Sequence, residues 1–538
     1  MGIYLNSKTA YILYKSEAEK PYFVDKTKML EELFPLVETG NNHICITRPR
    51  RFGKTVMANM IAAFFSHTYD AKELFQPLQI SQSKEYENYR NKFPVIHISF
   101  NEYNGRHASF EQYIERIEKR LITDLKNEYP DMNFSEDAGA AESLLELYAE
   151  DDNARFIFVL DEWDFIFHQN FITEQDKMDY LTFLRNLLKD RPYVRLAYMT
   201  GILPIAKYSS GSELNMFSEY TMASEERFSE YFGFTEEEVD LLYQRYQVLE
   251  EKRRQVTREG LKEWYDGYHT KSGKRMYNPR SVVMSLSNNN LGNYWTSSGP
   301  YDEIFYYIEN NIDAVRDDLA RMVSGTPVPA KIREYAATSQ ELQTKEEIFS
   351  AMVVYGFLSY DKGKVSIPNK ELEEKFAVML QKEPSLGYVY RLAKESDRML
   401  QATLAGDTET MEEILEQVHD TEVPLLQYNH ETELAAVVNL IYLSARDTYR
   451  VEREDKAGKG FVDFIFYPET DKSADGIILE LKVDHTPEEA IQQIKEKKYA
   501  LRFSGKIGEK PRYTGKILAV GISYSKETKK HTCKVEIL

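Results

Sequence analysis

The chain has 538 residues, a length that predicts three or four domains. It is 42% hydrophobic and carries a net charge of −19, which argues against non-specific coating of nucleic acid. Only two cysteines are present, so a disulfide framework or a cysteine metal site is not expected, and a reducing cytoplasm fits.

The first predicted elements are a strand, a loop and a helix within GNNHICITRPRRFGKTVMANMIAAFF. The strand covers residues 43–47, and three further β-rich apolar runs follow at residues 93–100, 155–167 and 194–201. Helical segments lie between these runs. Short buried strands that alternate with helices predict a parallel α/β sheet.

The middle of the chain is predicted to be mostly helical. Residues 235–265 are helical and charged, and residues 300–425 are helical with one exception. That exception, GFLSYDKGKVSIPN, predicts a hairpin with Lys362 and Gly363 at its turn. A winged-helix-like unit and a helical connector with one hairpin both fit this pattern.

The last part of the chain predicts a separate α/β unit. FVDFIFYP and DGIILELKV predict two strands, and GKILAVGISYS predicts a final one. Between them a helix begins after Thr486, because Pro487 and Glu489 follow it as in a capping box. Lysine and arginine outnumber the acids from Glu480 onward, so a local basic channel is compatible with the negative total.

The segment RPRRFGKT ends in Gly53, Lys54 and Thr55, the close of a phosphate-binding loop. The backbone N–H groups of such a loop and the N-terminus of the next helix bind phosphate oxygens. Lys54 would reach the β- and γ-phosphates of ATP, and Thr55 would ligate Mg²⁺. Arg51 and Phe52 complete the predicted ATP-binding loop.

The same loop departs from the usual pattern at its start. The pattern has a glycine five residues before Gly53, where this chain has Arg48. The loss is tolerable if the backbone there does not need a positive φ. Three roles stay open for Arg48, Arg50 and Arg51: lining the phosphate site, contacting the lid or pairing with acids.

The strand FIFVLDEWD ends in Asp161 and Glu162. An acid at the end of a buried strand needs a partner, and Mg²⁺ beside the P-loop would supply one. Asp161 would then hold the metal, and Glu162 would polarise the attacking water. A surface turn after a core strand is the plainer alternative. A later strand ends at Thr200, where a γ-phosphate sensor is expected.

Several segments in order resemble the bacterial AAA-ATPase-like family over residues 1–286. They are YFVDKTKMLEEL, RPRRFGKT, LDEWD, MTGILPIAK, FGFTEEEV and YNPRSV. An arginine-rich loop without the first glycine is the usual form in that family. The resemblance therefore implies an ATP site built from Walker A and Walker B motifs. Arg280 is a weak candidate for an arginine finger.

A second candidate site lies in the C-terminal unit. Asp463 is in one predicted strand, and Glu480 and Lys482 share a face of the next because they are two residues apart. Reversal of the chain between the strands would bring Asp463 beside Glu480. Two carboxylates and an ammonium form a Mg²⁺ site for phosphodiester cleavage, in which the lysine orients water or stabilises developing charge. A cross-strand salt bridge on a solvated face is the alternative for the tripeptide alone.

This arrangement resembles the PD-(D/E)XK nuclease superfamily over residues 425–538. The resemblance implies a helix acid at Glu433, with Glu431 as the second choice. It also implies a later helix that carries Gln493 and Tyr499, although five residues separate these two rather than three. The superfamily contains many inactive members, so the fold and retained catalysis are separate predictions.

Together these patterns predict a multidomain α/β protein with four ranges. They are a P-loop AAA-like ATPase core at 1–230, a helical lid at 231–300, a mostly helical middle region at 301–424, and a restriction-endonuclease-like PD-(D/E)XK domain at 425–538. The predicted function is a cytoplasmic ATPase, with ATP and Mg²⁺ as cofactors, coupled to a Mg²⁺-dependent nuclease. The alternative is a nucleotide-gated switch or scaffold that binds nucleic acid without cleaving it. DNA is expected rather than RNA, no membrane partner is expected, and a homo-oligomer stays open.

Overall fold

The structure is a computed structural model, and it describes most of the chain. The described residues are 2–101, 109–169, 172–205, 213–222, 225–248, 253–295, 308–332, 342, 344–421, 431–457, 460–468, 471, 473–504, 513 and 515–538.

The helices and strands are numbered in chain order. The helices are α1 (Thr9–Ala18), α2 (Met29–Thr39), α3 (Lys54–Phe65), α4 (Lys72–Phe75), α5 (Tyr86–Tyr89), α6 (Phe110–Glu128), α7 (Ala140–Glu150), α8 (Glu174–Leu188), α9 (Glu236–Tyr246), α10 (Arg258–Tyr265), α11 (Pro279–Asn288), α12 (Ile312–Val323), α13 (Lys345–Tyr355), α14 (Lys370–Lys382), α15 (Tyr388–Lys394), α16 (Ser396–Ala405), α17 (Thr408–Thr421), α18 (Glu431–Ile441) and α19 (Pro487–Glu496). The strands are β1 (Asn42–Thr47), β2 (Val95–Ser99), β3 (Phe156–Asp161), β4 (Val194–Gly201), β5 (Ser218–Tyr220), β6 (Tyr268–His269), β7 (Arg275–Met276), β8 (Val328–Pro329), β9 (Ser359–Asp361), β10 (Lys364–Ser366), β11 (Tyr449–Ala457), β12 (Gly460–Pro468), β13 (Gly476–Val483), β14 (Ile517–Ser525) and β15 (Lys530–Ile537). Short 3-10 helices cover Gln79–Gln82, Phe165–His168, Ser229–Tyr231, Glu309–Asn311, Pro384–Leu386, Leu443–Asp447 and Tyr499–Ser504.

Contacts divide the chain into two compact units. The first contains residues 1–303 and 329–371, and the second contains residues 304–328 and 372–538. Each unit is built around its own five-stranded sheet. The four predicted domain ranges remain a prediction at a finer level than this division.

The first unit contains a parallel sheet in the order β2-β3-β4-β1-β5. All six residues of β3 are buried, and so are five of the six in β1. Continuous apolar strands of this kind arise because helices cover both faces of a parallel sheet. β4 lies between β1 and β3, so the ends of these three strands are neighbours at one edge.

Three helices after the sheet, α9 to α11, form the region predicted as a lid. Thr235 caps α9 in a capping box with Glu238, and Asn278 caps α11 with Pro279 at its first position. The buried faces of the three helices share one apolar cluster, which includes Leu242 and other large side chains.

The predicted hairpin is confirmed as β9 and β10, which pair in antiparallel fashion. Lys362 and Gly363 have φ values of 46° and 82°, as a two-residue turn with positive φ requires. The order of helix α13, hairpin and helix α14 is also present. The winged-helix interpretation of this order stays a prediction.

The second unit contains a mixed sheet in the order β11-β12-β13-β14-β15. Only β13 and β14 run parallel, and α19 connects them as a crossover helix. Ile491 and Ile494 of α19 pack with Ile465 and Ile478 of the sheet in the unit's core.

The predicted fold class is confirmed by this architecture. The chain has a parallel α/β sheet with helices at its N-terminal end, a mostly helical middle and a mixed C-terminal sheet. Among the described helices, none combines the length and the apolar character that crossing a membrane requires.

Gly356, which ends α13, offers a test of the packing around the phosphate loop. Its φ is 85°, and a Cβ there would lie 2.6 Å from the Cβ of Pro49. We expect Gly356→Ala to lower the free energy of unfolding by about 2–4 kcal/mol, from left-handed strain and from overpacking. Gly363→Ala is the matched control, because its φ is 82° but its Cβ would meet nothing within 4 Å. Equal losses for both variants in denaturant unfolding would contradict the packing contribution.

Candidate functional site

The loop after β1 has the backbone of a phosphate-binding loop. Arg51 and Gly53 have φ values of 70° and 89°, and α3 begins directly afterwards at Lys54. The ammonium of Lys54 donates hydrogen bonds to the carbonyls of Arg48 and Pro49, both at 2.9 Å. The lysine therefore spans the loop from inside, at the positive N-terminus of a helix.

Lys54 is a buried cation at the centre of several carboxylates. Burial lowers the pKa of its ammonium to about 8. Asp164, Asp161 and Glu162 oppose that shift, in this order of strength, and favour the charged form. An anionic ligand in the loop would act in the same direction as these carboxylates.

Asp161 ends β3 and is fully buried. Burial raises the pKa of its carboxyl to about 6, although the nearby Thr55 hydroxyl opposes the rise. Oδ1 accepts the N–H of Glu162 at 3.1 Å. Oδ2 has no hydrogen bond of good geometry within the described part of the chain. A buried oxygen of this kind beside a threonine hydroxyl fits the two protein ligands predicted for Mg²⁺.

Thr200 lies between the two strands that carry the predicted motifs. It pairs with Ile46 of β1 on one side and with Asp161 of β3 on the other. Its buried hydroxyl donates to the carbonyl of Ile46 at 2.9 Å. A sensor role would require the hydroxyl to exchange this bond for a phosphate oxygen. The last two residues of MTGILPIAK lie outside the described residues.

Arg48 is almost completely buried, with 1% of its surface exposed. Its guanidinium donates to the carbonyls of Thr47 at 2.7 Å and Tyr220 at 2.8 Å, and lies 5.1 Å from the ring centre of Phe232. These contacts tie the start of the loop to β5. These described contacts brace the start of the loop, and the other roles left open by the sequence stay predictions.

The other arginines of the loop lie near further cations. Burial lowers the pKa of Arg51, and the nearby guanidinium groups of Arg280 and Arg50 lower it further, whereas Glu162 opposes them. The backbone carbonyl of Arg50 accepts a hydrogen bond from the indole of Trp295 at 3.0 Å. Arg51 and Arg280 thus contribute positive charge beside the loop, which suits a polyphosphate ligand.

Phe52 anchors the loop through packing. Its side chain is buried, and its ring meets Tyr268 edge to face with the ring centres 4.9 Å apart. The Tyr268 hydroxyl in turn donates to the carbonyl of Gly356 at 3.0 Å. The Phe52 side chain therefore holds the loop in place, while its backbone N–H belongs to the predicted phosphate cradle.

Sequence reasoning gave no role to Glu371, which is 1% exposed. Its carboxylate accepts the hydroxyl of Ser281 at 2.8 Å and the N–H groups of Tyr294 and Trp295, each at 2.6 Å. This carboxylate fixes the residue whose indole contacts the loop. The only sequence signal for it was an acid at the start of a predicted helix, which is usually a surface feature.

In the second unit, β12 and β13 form an antiparallel pair that aligns Phe464 with Leu479. Asp463 and Glu480 are the next residues beyond this pair, and the charge of Asp463 acts on the Glu480 carboxyl. One oxygen of Asp463, Oδ2, accepts the N–H of Leu481 at 2.7 Å. The two carboxylates are therefore neighbours across the strands.

Glu480 is 3% exposed and lies among polar groups. Its Oε1 accepts one hydrogen bond from the ammonium of Lys482, at 3.2 Å, and another from the side-chain amide of Gln493. Its Oε2 has no hydrogen-bond partner among the described residues. Burial raises the pKa of this carboxyl to about 7, and the charge of Asp463 adds to the rise, whereas Lys482 opposes it. An oxygen left without a partner fits a metal ligand.

Gln493 and Tyr499 both reach this cluster despite the unusual spacing between them. α19 ends three residues before Tyr499, and the turn that follows brings the Tyr499 hydroxyl near the side chain of Gln493. Burial raises the pKa of the Tyr499 hydroxyl to about 12, and the charge of Glu480 adds to this effect. The predicted start of α19 is confirmed, with Thr486 as its N-cap.

The predicted helix acid lies at the beginning of α18. The side chains of Glu433 and of the second choice, Glu431, are outside the part of the chain that the structure describes. Within the described part, no group of three or more His, Cys, Asp or Glu side chains could hold a metal ion. The described donor set is thus a pair of carboxylates with a lysine.

Comparison with known families finds one match in each of the two regions that contain the candidate sites. Residues 15–210 match the model of the family described as predicted AAA-ATPase, and residues 429–532 match the PD-(D/E)XK nuclease superfamily. The architecture recognised in the sequence is thereby confirmed, with an AAA-ATPase-like region followed by a nuclease-superfamily region.

Similar proteins add little about activity. A relative from Azotobacter chroococcum mcd 1, the uncharacterized protein in the vnfD 5' region, is 26% identical over 295 residues. The match covers 53% of this chain and 52% of that protein, so the chain spans about half the length of its relative. The Walker-type ATPase PABY2304 of Pyrococcus abyssi has a TM-score of 0.36 at 12% identity, covering 65% of this chain and 94% of that one. The ORC2 protein of Aeropyrum pernix has a TM-score of 0.30 at 11% identity, covering 66% of this chain and 93% of that one.

The raised pKa of Glu480 predicts a pH-dependent stability. Its folded pKa of about 7 lies above the ordinary value of 4.5, so the folded state binds this proton more tightly than the unfolded state does. The stabilisation is complete below pH 4.5 and is lost as the pH rises to 7. Glu480→Gln should therefore exceed wild type in unfolding free energy by about 1–3 kcal/mol above pH 7, with a difference that vanishes near pH 4.5.

This prediction is checked by denaturant unfolding in buffer with a chelator, at several pH values from 4.5 to 8. Glu496→Gln, an exposed glutamate of α19, is the control. A difference between Glu480→Gln and wild type that is constant across the range would contradict the raised pKa.

Proposed function

We propose that this protein hydrolyses ATP in its first unit and cleaves nucleic acid phosphodiesters in its second, with the nucleotide state controlling cleavage. The observation that carries the proposal is common to both units. Asp161 and Glu480 are buried carboxylates, each with one oxygen that has no good hydrogen bond among the described residues and each near a lysine. Buried charges of this kind are retained at functional sites because they bind ions or substrates.

In the first unit, the loop residues would bind the phosphates of ATP through their N–H groups and the N-terminus of α3. Lys54 would exchange its bonds to loop carbonyls for bonds to the β- and γ-phosphates. Thr55 and Asp161 would hold Mg²⁺, which neutralises the charge of the phosphates during transfer. Glu162 would orient the attacking water, and Thr200 would contact the γ-phosphate.

In the second unit, Asp463 and Glu480 would hold Mg²⁺, which polarises the phosphodiester and lowers the pKa of a water. Lys482 would orient that water or stabilise the charge that develops on the phosphate. Gln493 holds the Glu480 side chain in place through its amide. The carboxylate of Asp463 is oriented by the N–H of Leu481.

Several parts of the proposal rest on the sequence alone. DNA as the substrate, a cytoplasmic location and the possibility of a homo-oligomer are predictions of this kind. So is the scaffold alternative, in which the nuclease fold binds nucleic acid without cleaving it. The ATPase and nuclease experiments below distinguish the proposed enzyme from the scaffold.

The ATPase is tested with two substitutions in the first unit. Glu162→Gln should lower kcat for ATP hydrolysis by about 100-fold or more, because general-base assistance is lost while the phosphates still bind. Lys54→Ala should weaken ATP binding itself, because the phosphates lose their buried cation. Lys72→Ala, on the exposed surface of α4, is the control for lysine removal. Hydrolysis by Glu162→Gln at the wild-type rate would refute the assigned role.

The nuclease is tested with two substitutions in the second unit. Asp463→Ala and Glu480→Ala should each lower Mg²⁺-dependent cleavage of DNA by about 100-fold or more, while nucleic acid binding is kept. Asp484→Asn is the control, because Asp484 follows β13 directly and its exposed carboxylate pairs with Lys526. Binding by wild type without cleavage of DNA or RNA, with Mg²⁺ or Mn²⁺, would support the scaffold instead.

The same assay measures control by the nucleotide. Cleavage by wild type should differ with and without ATP, and cleavage by Lys54→Ala should not respond to ATP. Identical cleavage in all four conditions would show that the two activities are independent.

A further inference from the structure

Asp164 stands three residues after Asp161, and the predicted site gives it no role. Its side chain is buried, with 3% of its surface exposed. One carboxylate oxygen, Oδ2, accepts the N–H of Ile202 at 2.8 Å and the N–H of Leu203 at 2.7 Å. These residues directly follow the end of β4. The carboxylate therefore joins the turn after β3 to the exit of β4.

The main chains of the two segments are joined at the same place. The N–H of Trp163 donates to the carbonyl of Thr200 at 3.1 Å, and the hydroxyl of Tyr180 donates to the carbonyl of Trp163 at 2.6 Å. A Cβ on Gly201 would lie 2.5 Å from the Trp163 ring and 2.6 Å from the Asp164 carboxylate. The close approach therefore requires glycine at this position and leaves the turn little freedom.

Glu162 lies inside this turn. Its φ is 52°, in the left-handed region that a residue with a side chain rarely adopts. The Asp161 carboxylate accepts a hydrogen bond from the N–H of Glu162. The next residue along the chain, Trp163, is fixed by its hydrogen bond to the carbonyl of Thr200. An uncommon conformation persists only where the surrounding structure holds it, and these contacts do so.

We propose that Asp164 is a positioning residue for ATP hydrolysis, which fixes the orientation of Glu162 by holding the exit of β4 against the turn after β3. The inference rests on the proposed ATPase function. A carboxylate suits this task because its charge strengthens the two hydrogen bonds that it accepts from the backbone.

Asp164 also has an electrostatic effect on the phosphate loop. Burial lowers the pKa of Lys54, and among the carboxylates that oppose this effect Asp164 is the strongest. The same side chain thus contributes to the electrostatics of the phosphate loop while it fixes the geometry of the turn. Neither contribution requires direct contact with ATP.

The test compares Asp164→Ala with Glu162→Gln in the full chain. We expect Asp164→Ala to lower kcat for ATP by about 100-fold, the effect of misplacing a catalytic group by about 1 Å. KM should change much less than kcat, because the bound phosphates themselves favour the charged form of Lys54 when the Asp164 carboxylate is removed. In the Glu162→Gln background, Asp164→Ala should cause little further loss, because it acts through Glu162.

Two further variants keep the test decisive. Asp164→Asn keeps the size of the side chain and one acceptor oxygen. If Asp164→Ala does not fold, Asp164→Asn replaces it in the same comparison of single and double variants. Asp124→Ala is the matched control, because the buried carboxylate of Asp124 also accepts two backbone N–H groups, from Tyr4 at 2.7 Å and Leu5 at 3.1 Å. It should lower Tm and leave kcat per folded molecule unchanged.

The possible failures are distinguishable. If wild type hydrolyses ATP but the losses from Asp164→Ala and Glu162→Gln multiply in the double variant, Asp164 does not act through Glu162 and the inference is overturned alone. If kcat of Asp164→Ala equals that of wild type, the inference is overturned as well. If wild type hydrolyses no ATP, the proposed function fails and the inference fails with it.

Discussion

The burial of the Asp161 carboxylate is the constraint on which the first unit depends. A parallel sheet covered on both faces offers no water to a charge at the end of its central strands. The pKa of about 6 corresponds to a cost on the order of 3 kcal/mol for keeping the carboxylate charged. This cost already includes the opposing effects of Thr55 and Lys54, which act on Asp161 because β4 separates β3 from β1 by one strand only and the phosphate loop lies at the same edge. The helix start, the loop and the turn are all arranged around this charge.

The second unit also contains a buried carboxylate, but the groups around it come from different elements. Glu480 is buried on β13, and its lysine comes from two residues later on the same strand rather than from another loop. Burial raises the pKa of Glu480 to about 7, and the like charge of Asp463 adds to the rise. The neutral and charged forms of Glu480 are therefore close in free energy near neutral pH. A cation in this place would shift the balance strongly toward the charged form.

The sequence could predict the elements whose signal is local. A helix start after Gly53, an acid that closes the apolar strand at Asp161, and two strands that carry Asp463 and Glu480 all follow from periodicity and turn chemistry. The bracing role of Arg48 and the contacts of Asp164 could not be predicted in this way. They depend on which distant backbone groups the folded chain brings close, and residue type at one position carries no information about those groups.

The phosphate loop departs from the usual sequence pattern at its first glycine, and the fold accommodates this change. Arg48 replaces the first glycine of the pattern, and it is not among the residues with positive φ. Left-handed backbone occurs instead at Arg51 and Gly53, so a glycine at position 48 is not required by conformation. A side chain at that position can then form contacts that a glycine cannot, because its guanidinium donates to the carbonyls of Thr47 and Tyr220. The arginine thus replaces the flexibility of a glycine with a fixed connection between β1 and β5, and the loop keeps its shape through packing.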